Sequence, residues 1–285
     1  MRPKLRIGIL TSGAMVPYWA ARMMERIGRS TYAEIVLLVI VGPKDGGPRR
    51  PRSQGSLLYR AHEAIDSVLS RNMPLMNGKG RRDPFRFEDL PAALDGVERL
   101  EICGGKDGHL KVSQDVIGKL KGKDLDVLVD TGIDLPLDDI SKCSRYGVLT
   151  FSPGDCGRYN GRYAGFWEIY DGTPVTGSHV RRTQGGRAFP VYRSYSRTVA
   201  WSEGRNRDQA YLKGISFIPR VLEALYQRGD AVIAPPLDDL GQCDASPSPM
   251  PSNLDMLRFH FHNVPRNARI AIRKTLYRES WAIRY

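Results

Sequence analysis

Two apolar runs near the start of the chain constrain its fold more than any other feature. Leu5–Leu10 (LRIGIL) and Ala33–Val41 (AEIVLLVIV) are nearly continuous in apolar residues, which is typical of strands buried on both faces of a parallel sheet. Val16–Ile27 lies between them with the apolar spacing of a helix, and Pro17 suits its first turn. A strand, a loop, a helix and a strand in this order predict the opening of a doubly wound α/β sheet.

The same alternation continues along the chain. Short apolar runs predict strands at Val97–Ile102, Val127–Val129, Val148–Phe151, Pro174–Arg182 and Val191–Ser194. Helical spacing and capping residues predict helices at Ser56–Ser70, Ser113–Lys121, Phe166–Tyr170 and Asp208–Arg228. The first of these is amphipathic, and its apolar face is formed by Leu58, Ala61, Ile65 and Leu69. We expect Gly214 and Pro219 to bend or split the last one.

We therefore predict an α/β domain over residues 1–230, with a doubly wound, mostly parallel sheet flanked by helices. A proline-rich linker at 231–253 and a basic tail at 254–285 follow it. Within the tail, residues 265–285 have the composition of a basic, partly amphipathic helix. A chain of 285 residues is long enough for one large α/β domain with such appendages.

Several classes of protein find no support in the sequence. No apolar run approaches the ~20 residues that span a bilayer, and because the first strand follows the start directly, we expect no signal peptide. The four cysteines are widely separated, so we expect reduced thiols and a cytoplasmic protein. The loop TSGAM lacks the glycine spacing of a dinucleotide site. No metal site is predicted, because the close pair His260 and His262 has no acid or thiol at ligand spacing.

The chain is basic, with 43 lysines and arginines against 31 aspartates and glutamates and a net charge of +12. The cations cluster in two loops and in the tail, at Arg49, Arg50, Arg52, Arg81, Arg82, Arg266, Arg269, Arg273, Lys274, Arg278 and Arg284. This distribution predicts an anionic partner that binds through the basic loops and tail, such as nucleic acid, a phosphorylated substrate or an anionic membrane surface. A basic surface without a specific partner is the alternative.

Three segments of the chain resemble a known family. They are the start LRIGILTSGAMVPYWAARMMERI, the frame YGVLTFSPGDCGRYNGRYAGFWEIYDGTPVTG and the later run RNRDQAYLKGISFIPRVLEAL. Together they resemble the folate-dependent formyltransferases, which include methionyl-tRNA, glycinamide ribonucleotide and sugar-amine formyltransferases. The chain is most similar to a bacterial subgroup in which some members are joined to a glycan-processing domain. The resemblance covers roughly Leu5 to Arg228, and it implies 10-formyltetrahydrofolate as the donor and an amine as the acceptor.

The catalytic residues of that family are replaced in this chain. The family uses an Asn and a His two residues apart at a strand end, and an Asp in a later loop. An ungapped alignment puts Thr150 at the Asn and Ser152 at the His, and no acid occurs between Asp171 and Glu203. Hydroxyl groups can donate hydrogen bonds to an oxyanion, but they cannot act as a general acid or base near neutral pH. Thr150 and Ser152 are therefore candidate catalytic residues of a remodelled site.

Two further polar residues are candidates to complete this site. Asp155 follows Ser152 by three residues, and a carboxylate there can take a proton from an amine or bind a substrate hydroxyl. The alternative is that Asp155 caps a turn. His179 lies on the next predicted strand, where it replaces the lost histidine if it faces the site. The alternative is a surface or core histidine.

The resemblance also implies a pterin site in the loop that follows Val127–Val129. The family holds the ring there through backbone atoms, which in this chain belong to Thr131, Gly132, Ile133, Asp134 and Leu135. A plain strand-to-loop turn is the alternative. Arg187, after Gly185 and Gly186, replaces an acidic loop on the pterin side by a cationic one, which suits phosphate or carboxylate.

The sequence thus predicts a transferase that moves a formyl group to an amine of a small metabolite or sugar. Its predicted catalytic residues are Ser152, Asp155, Thr150 and His179. Two alternatives remain open. One is a formyltransferase fold that has lost catalysis and binds a partner protein, since all three catalytic positions are changed. The other is a binder of nucleic acid or an anionic surface, as the charge predicts.

Overall fold

The computed structural model describes residues 2–42, 55–72, 83–102, 112–133, 137–159, 161, 163–234 and 248–263. The strands in these ranges are β1 (Leu5–Thr11), β2 (Met15–Pro17), β3 (Ala33–Val41), β4 (Phe87–Asp89), β5 (Glu98–Ile102), β6 (Val127–Asp130), β7 (Val148–Pro153), β8 (Val175–Gln184) and β9 (Arg187–Arg197). The helices are α1 (Tyr18–Gly28), α2 (Leu57–Asn72), α3 (Gln114–Lys121), α4 (Leu137–Ile140), α5 (Phe166–Tyr170), α6 (Glu203–Gly214), α7 (Phe217–Arg228) and α8 (253–263).

A seven-stranded sheet organises the described part of the chain, in the order β5-β3-β1-β6-β7-β8-β9. The first five strands in this order are parallel, β8 is antiparallel to them, and β9 is antiparallel to β8. The chain winds outward from β1 through β3 and β5, and then in the opposite direction through β6 and β7. This confirms the predicted doubly wound, mostly parallel α/β fold. Sheets of this kind bind ligands beyond the carboxyl ends of their strands, near the point where the winding reverses.

Helices cover both faces of the sheet. On one face, α1 and α7 contribute Met23, Met24, Ile218 and Leu222 to a core that contains Ile7, Ile9, Val127 and Val129 from the strands. On the other face, α3 contributes Val116, Ile117 and Leu120 to a core with Leu10, Leu128 and Val148. Because side chains alternate along a strand, the strand residues divide between these two cores. We call the face under α3 the α3 face.

Local sequence signals account for several helix boundaries. Ser113 caps α3 as its sequence predicts, and its hydroxyl accepts a hydrogen bond from the Val116 N–H. The predicted helix Asp208–Arg228 is split after Gly214 into α6 and α7. A Cβ at Gly214 would lie 2.7 Å from the Phe151 ring, so the glycine lets the end of α6 approach the sheet closely.

Two details differ from the sequence-based expectations. The apolar residues of α2 do not all face the core, because Ala61 is exposed and Ile65 is 60% exposed. Cys156 is disulfide-bonded, whereas Cys143 is a free, buried thiol. The expectation of reduced thiols is therefore wrong at Cys156, because sequence spacing does not show which sulfur atoms the fold brings together.

Helix α8 begins where the linker was predicted to end. It buries Met256 and Phe259 against Tyr59 of α2 and Phe166 of α5. The rest of the predicted tail, residues 264–285, and most of the predicted linker lie outside the described residues, as do the basic loops at 49–52 and 81–82. None of the helices within the described ranges is long and apolar enough to cross a membrane.

Candidate functional site

Polar side chains follow the buried residues of β6 and β7 on the α3 face. Leu128 and Val148 pack in the core of this face, so alternation places Asp130, Thr150 and Ser152 on the same side, toward the carboxyl ends of the strands. Asp130 and Thr150 are opposite each other in the β6–β7 register. This edge carries Thr150 and Ser152, the two hydroxyl residues that the sequence resemblance predicts to be catalytic.

The antiparallel strand β8 brings His179 to the same place. The β7–β8 register pairs Ser152 with His179 and Thr150 with Arg181. Directly opposed residues of a strand pair lie on one face, with their Cβ atoms about 4.5–5.5 Å apart. The fold therefore brings Ser152 and His179 together, although they are 27 positions apart in the chain.

The His179 ring is buried, with 1% of its surface exposed. Its Nδ1 lies 3.0 Å from the Gly154 carbonyl oxygen, and a carbonyl only accepts, so Nδ1 carries the proton. In the neutral ring, Nε2 is then an acceptor, and it is buried without a hydrogen-bond partner among the described residues. Burial lowers the pKa of His179. The imidazole is therefore neutral at neutral pH and fixed in one tautomer.

Asp155 lies in the turn that follows β7, above the start of β8. A Cβ added to Gly177 would be 2.7–2.8 Å from the backbone N, Cα and Cβ of Asp155, so the two residues are in close contact. The Gly154 N–H donates to the Gly177 carbonyl at 2.9 Å, which fixes this approach. The Asp155 carbonyl accepts from Arg158 and Tyr159 N–H groups, as expected for a turn residue. Its carboxylate is half-buried and lies 3.5 Å from the Tyr195 hydroxyl.

Asp130 was not among the residues that the sequence singled out. One of its carboxylate oxygens accepts hydrogen bonds from the Gly132 and Ile133 N–H groups, both at 2.9 Å. The other accepts from the Thr150 hydroxyl at 3.2 Å. Burial raises the pKa of Asp130, and these hydrogen bonds oppose the shift. An acid that ends a buried apolar strand, as in VLVD, is a sequence signal that could have identified it.

The described part of the predicted pterin loop is held by hydrogen bonds to the end of β1. The N–H and hydroxyl of Thr131 both donate to the Leu10 carbonyl, at 3.2 and 2.8 Å. Gly132 has φ +94°, and a Cβ there would meet no atom of the described residues within 4 Å. The loop therefore has open space beside Gly132 and uses its N–H groups internally. Asp134 and Leu135 lie outside the described residues.

Arg187 is not brought to the other candidate residues. It pairs with Gln184 at the tip of the β8–β9 hairpin, beyond the pair Val148–Thr183 at the amino end of β7. Ser152 lies at the carboxyl end of β7, opposite His179. Five residues of extended strand separate His179 from Gln184, which corresponds to about 17 Å. The prediction that Arg187 lies beside the pterin loop is corrected, because β8 continues as a strand past the expected loop.

Arg181 is a second residue that the sequence did not single out. It lies opposite Thr150, is partly buried, and has a buried Nε without a hydrogen-bond partner in the described ranges. Its positive charge opposes the effect of burial on the pKa of Asp130. It supplies a cation at this edge, two residues along β8 from His179. No group of three or more His, Cys, Asp or Glu side chains in the described residues is arranged to hold a metal ion.

Comparison with known proteins agrees with this architecture. No protein-family model and no curated protein matches the chain. Among solved structures, a phosphoribosylglycinamide formyltransferase from Brucella melitensis matches with a TM-score of 0.50 and 13% identity, over 80% of this chain and 97% of that chain.

Two further solved structures show the range of the similarity. A glycinamide ribonucleotide transformylase from Symbiobacterium toebii gives a TM-score of 0.48 at 13% identity, over 79% of this chain and 88% of that chain. A sugar 3N-formyl transferase, solved in the presence of dTDP and 5-N-formyl-THF, gives 0.47 at 12% identity, over 89% and 72%. At such low identity a structural match establishes the fold and not the activity. This chain has the formyltransferase fold.

Proposed function

We propose that this protein transfers a formyl group from 10-formyltetrahydrofolate to an amine of a small metabolite or sugar. The fold supports formyl transfer in general terms. The observation that carries the proposal is the position of Ser152 opposite His179, with Asp155 packed on Gly177 beside them. The register and this contact support a site in which these three polar residues act together at the carboxyl ends of the strands, where this type of sheet binds ligands.

Asp155 is the proton acceptor in this proposal. Its carboxylate is half-buried and reaches solvent, whereas the His179 ring is enclosed. When the amine nitrogen attacks the formyl carbon, it must lose a proton, and a carboxylate within hydrogen-bond reach can hold it. Asp155 then returns the proton to the leaving nitrogen, so that the carboxylate is regenerated.

Ser152 is the hydrogen-bond donor to the formyl oxygen as negative charge develops there. Its side chain is half-buried, and a hydroxyl in such a place can stabilise an oxyanion. Thr150 is less suited to this role, because its hydroxyl already donates to Asp130. We assign Thr150 a positioning role, in which it ties the end of β7 to the loop after β6.

His179 positions the Asp155 turn. Its Nδ1–H donates to the carbonyl of Gly154, the residue before Asp155. Because burial lowers the pKa of His179, the ring is neutral at neutral pH. A neutral ring leaves the negative charge of Asp155 available to the amine.

10-Formyltetrahydrofolate supplies the formyl carbon and a nitrogen leaving group. The loop at Thr131, Gly132 and Ile133 fits its pterin ring in two respects. No atom of the described residues lies within 4 Å of a Cβ built at Gly132, which leaves room on this side of the loop. Since the N–H groups of the loop are used by Asp130 and Leu10, its carbonyl oxygens are the groups left to receive the ring's N–H donors.

Arg181 favours an acceptor that carries a negative charge. The guanidinium lies across the strand from Thr150, on the face that holds Ser152 and His179. Arginine binds carboxylate or phosphate through paired N–H donors. Amines that also carry a phosphate or carboxylate are therefore the first acceptors to test, and they match the anionic partner that the net charge predicts.

The test combines ligand binding with turnover. Thermal unfolding is measured with and without 5-formyltetrahydrofolate, a stable analogue of the donor. At a hundred times its dissociation constant a ligand stabilises the folded state by ~2.7 kcal/mol, so a clear rise in Tm is expected. Turnover of 10-formyltetrahydrofolate is then measured with sugar amines and amino acids, with and without a phosphate group.

Asp155→Asn is the decisive variant, and Asp89→Asn is its matched control because Asp89 is exposed on β4. We expect Asp155→Asn to lower turnover by about 10²–10⁴ while the Tm shift with the analogue is retained. Asp89→Asn should leave both unchanged. Full activity in Asp155→Asn would remove Asp155 from the mechanism. A well-folded protein with neither a Tm shift nor turnover would favour the alternative of a fold that binds a partner without catalysis.

A further inference from the structure

Helix α2 turns its polar side inward and its apolar side outward. The buried residues of this helix include Tyr59, His62 and Asp66. Its exposed apolar residues are Leu57, Ala61, Ala64, Ile65 and Val68, of which Leu57, Ile65 and Val68 are 74%, 60% and 56% exposed. A helix on the surface of a domain normally has the opposite arrangement. The outer side of α2 is therefore built to be covered.

Helix α8 lies beside α2 and shows the same excess of apolar surface. The Leu58 N–H donates to the Asn253 side chain at 3.2 Å, and the rings of His62 and Phe259 are 5.1 Å apart. While Met256 and Phe259 face inward, the outer side of α8 exposes Leu254, Leu257 and Phe261 by 56%, 60% and 78%. Their spacing of three and four residues places them in one stripe. We call these exposed residues of α2 and α8 the outer apolar surface.

We propose that residues 264–285 of this chain cover the outer apolar surface. This segment continues directly from Asn263, the last residue of α8, which is buried and whose side chain donates to the Phe259 carbonyl at 3.1 Å. The segment thus starts from a fixed residue of α8, two positions after Phe261 of the outer apolar surface. Even if wholly helical it would reach about 33 Å, compared with about 24 Å for the 16 residues of α2.

The sequence of the segment has the chemistry to fill this role. Its large apolar and aromatic residues are Ile270, Ile272, Leu276, Tyr277, Trp281, Ile283 and Tyr285. Ile272, Leu276 and Ile283 fall on one face at helical spacing, and the arginines between them can lay their apolar stems on the surface while their charges stay in water. Because the segment is tethered to α8, its effective concentration at the outer apolar surface is roughly in the mM range, as for short linkers. A weak intrinsic affinity of the segment for this surface is therefore enough to keep the surface covered.

Site-specific photo-crosslinking in the full chain tests this proposal. A photoreactive benzoylphenylalanine replaces Ala64, an exposed α2 residue of the outer apolar surface, and crosslinked peptides are identified by mass spectrometry. Arg187 is the control position, since it is exposed at the tip of the β8–β9 hairpin. Leu257 is a second test position if the Ala64 variant does not fold.

We expect monomeric products in which Ala64 or Leu257 is joined to a peptide from 264–285, and none of these from Arg187. Adding Ile65→Glu to the crosslinking variant should reduce their yield at least tenfold. Three results would overturn the proposal. A crosslinked dimer would identify a second copy of the chain as the occupant. Crosslinks to other segments, or no crosslink with a folded protein at either position, would show that the segment does not cover this surface.

Discussion

Thr150 and Asp130 are joined across the carboxyl ends of β7 and β6, where the Thr150 hydroxyl donates to the Asp130 carboxylate at 3.2 Å. Both side chains are buried, and the second Asp130 oxygen holds the Gly132 and Ile133 N–H groups. One carboxylate therefore ties the proposed pterin loop to the strand that carries Ser152. A substitution of Asp130 should therefore disturb both the loop after β6 and the carboxyl end of β7.

Asp130→Ala should destabilise the protein, because it leaves two N–H groups and one hydroxyl without their buried partner. The loss of such a partner lowers the free energy of unfolding by about 1–3 kcal/mol. The Tm shift with 5-formyltetrahydrofolate should also fall, since the loop is no longer held. Chemical denaturation and thermal unfolding measure the two effects.

Asp130→Asn is the matched control. The amide oxygen can still accept from Gly132 and Ile133, and the amide NH₂ can donate to the Thr150 hydroxyl. Stability should change by less than about 1 kcal/mol. An equal loss in both variants would mean that charge, and not hydrogen bonding, is what Asp130 contributes.

His179→Asn and His179→Ala separate a positioning role from a role for Nε2. The Asn side chain offers an N–H donor near the position of Nδ1, so it can keep the hydrogen bond to the Gly154 carbonyl. We expect His179→Asn to stay within about tenfold of the parent turnover, and His179→Ala to lose about 10²-fold because the Asp155 turn shifts. Steady-state kinetics measure both.

The pH profiles of activity of the same two variants distinguish the two roles, because a change in stability alone does not alter the shape of the profile. If His179 only positions the turn, the pH profile of His179→Asn keeps the shape of the parent profile. Loss of activity in both variants, with both still binding 5-formyltetrahydrofolate, would instead assign proton transfer to Nε2.

Gly177→Ala should disturb the site without disturbing the core. The new Cβ would meet the Asp155 backbone at 2.7–2.8 Å, which is closer than side-chain atoms pack, so the Asp155 turn must move. We expect turnover to fall about 10²-fold. Gly118→Ala in α3 is the control, because a Cβ there meets no described atom within 4 Å and alanine favours a helix interior by up to about 1 kcal/mol. Unchanged turnover in Gly177→Ala would contradict the role given to this contact.

The sequence predicted the order of strands and helices well because that order depends on local periodicity. β3 spans Ala33–Val41, as its apolar run predicts, and α5 spans Phe166–Tyr170 as its spacing predicts. Gly214 and Pro219 were expected to bend or split the last long helix, and the break follows Gly214. These features need no knowledge of distant contacts.

The candidate site was harder to predict because it depends on register between strands. Nothing near His179 in the sequence shows that it lies opposite Ser152, since only the β7–β8 pairing decides this. The strand pairing also places Arg187 at the tip of the β8–β9 hairpin, away from the pterin loop beside which it was predicted to lie. Helix α2 shows another limit of prediction from sequence. An apolar stripe such as the one that contains Ile65 indicates a face that is covered, but it does not show which segment covers that face.

Glu203 should make the free energy of unfolding fall as the pH rises, and a single substitution should remove this dependence. Its carboxyl is 3% exposed, accepts from the Tyr59 hydroxyl at 2.7 Å, and has its pKa raised from 4.5 to about 7, mainly by burial. Between these two values the folded state holds a proton that the unfolded state has lost. The stabilisation is therefore complete below pH 4.5 and is lost as the pH rises through about 7.

Glu203→Gln cannot titrate, and its amide oxygen can still accept from Tyr59. Relative to the parent protein, the variant should gain on the order of 1–3 kcal/mol in the free energy of unfolding between pH 5 and pH 8. Urea denaturation at the two pH values measures this difference. Glu101→Gln, at an exposed position on β5, should follow the parent at both. Parallel pH dependence in Glu203→Gln and the parent would show that Glu203 is ionised throughout, and that the Tyr59 hydrogen bond is strong enough to offset its burial.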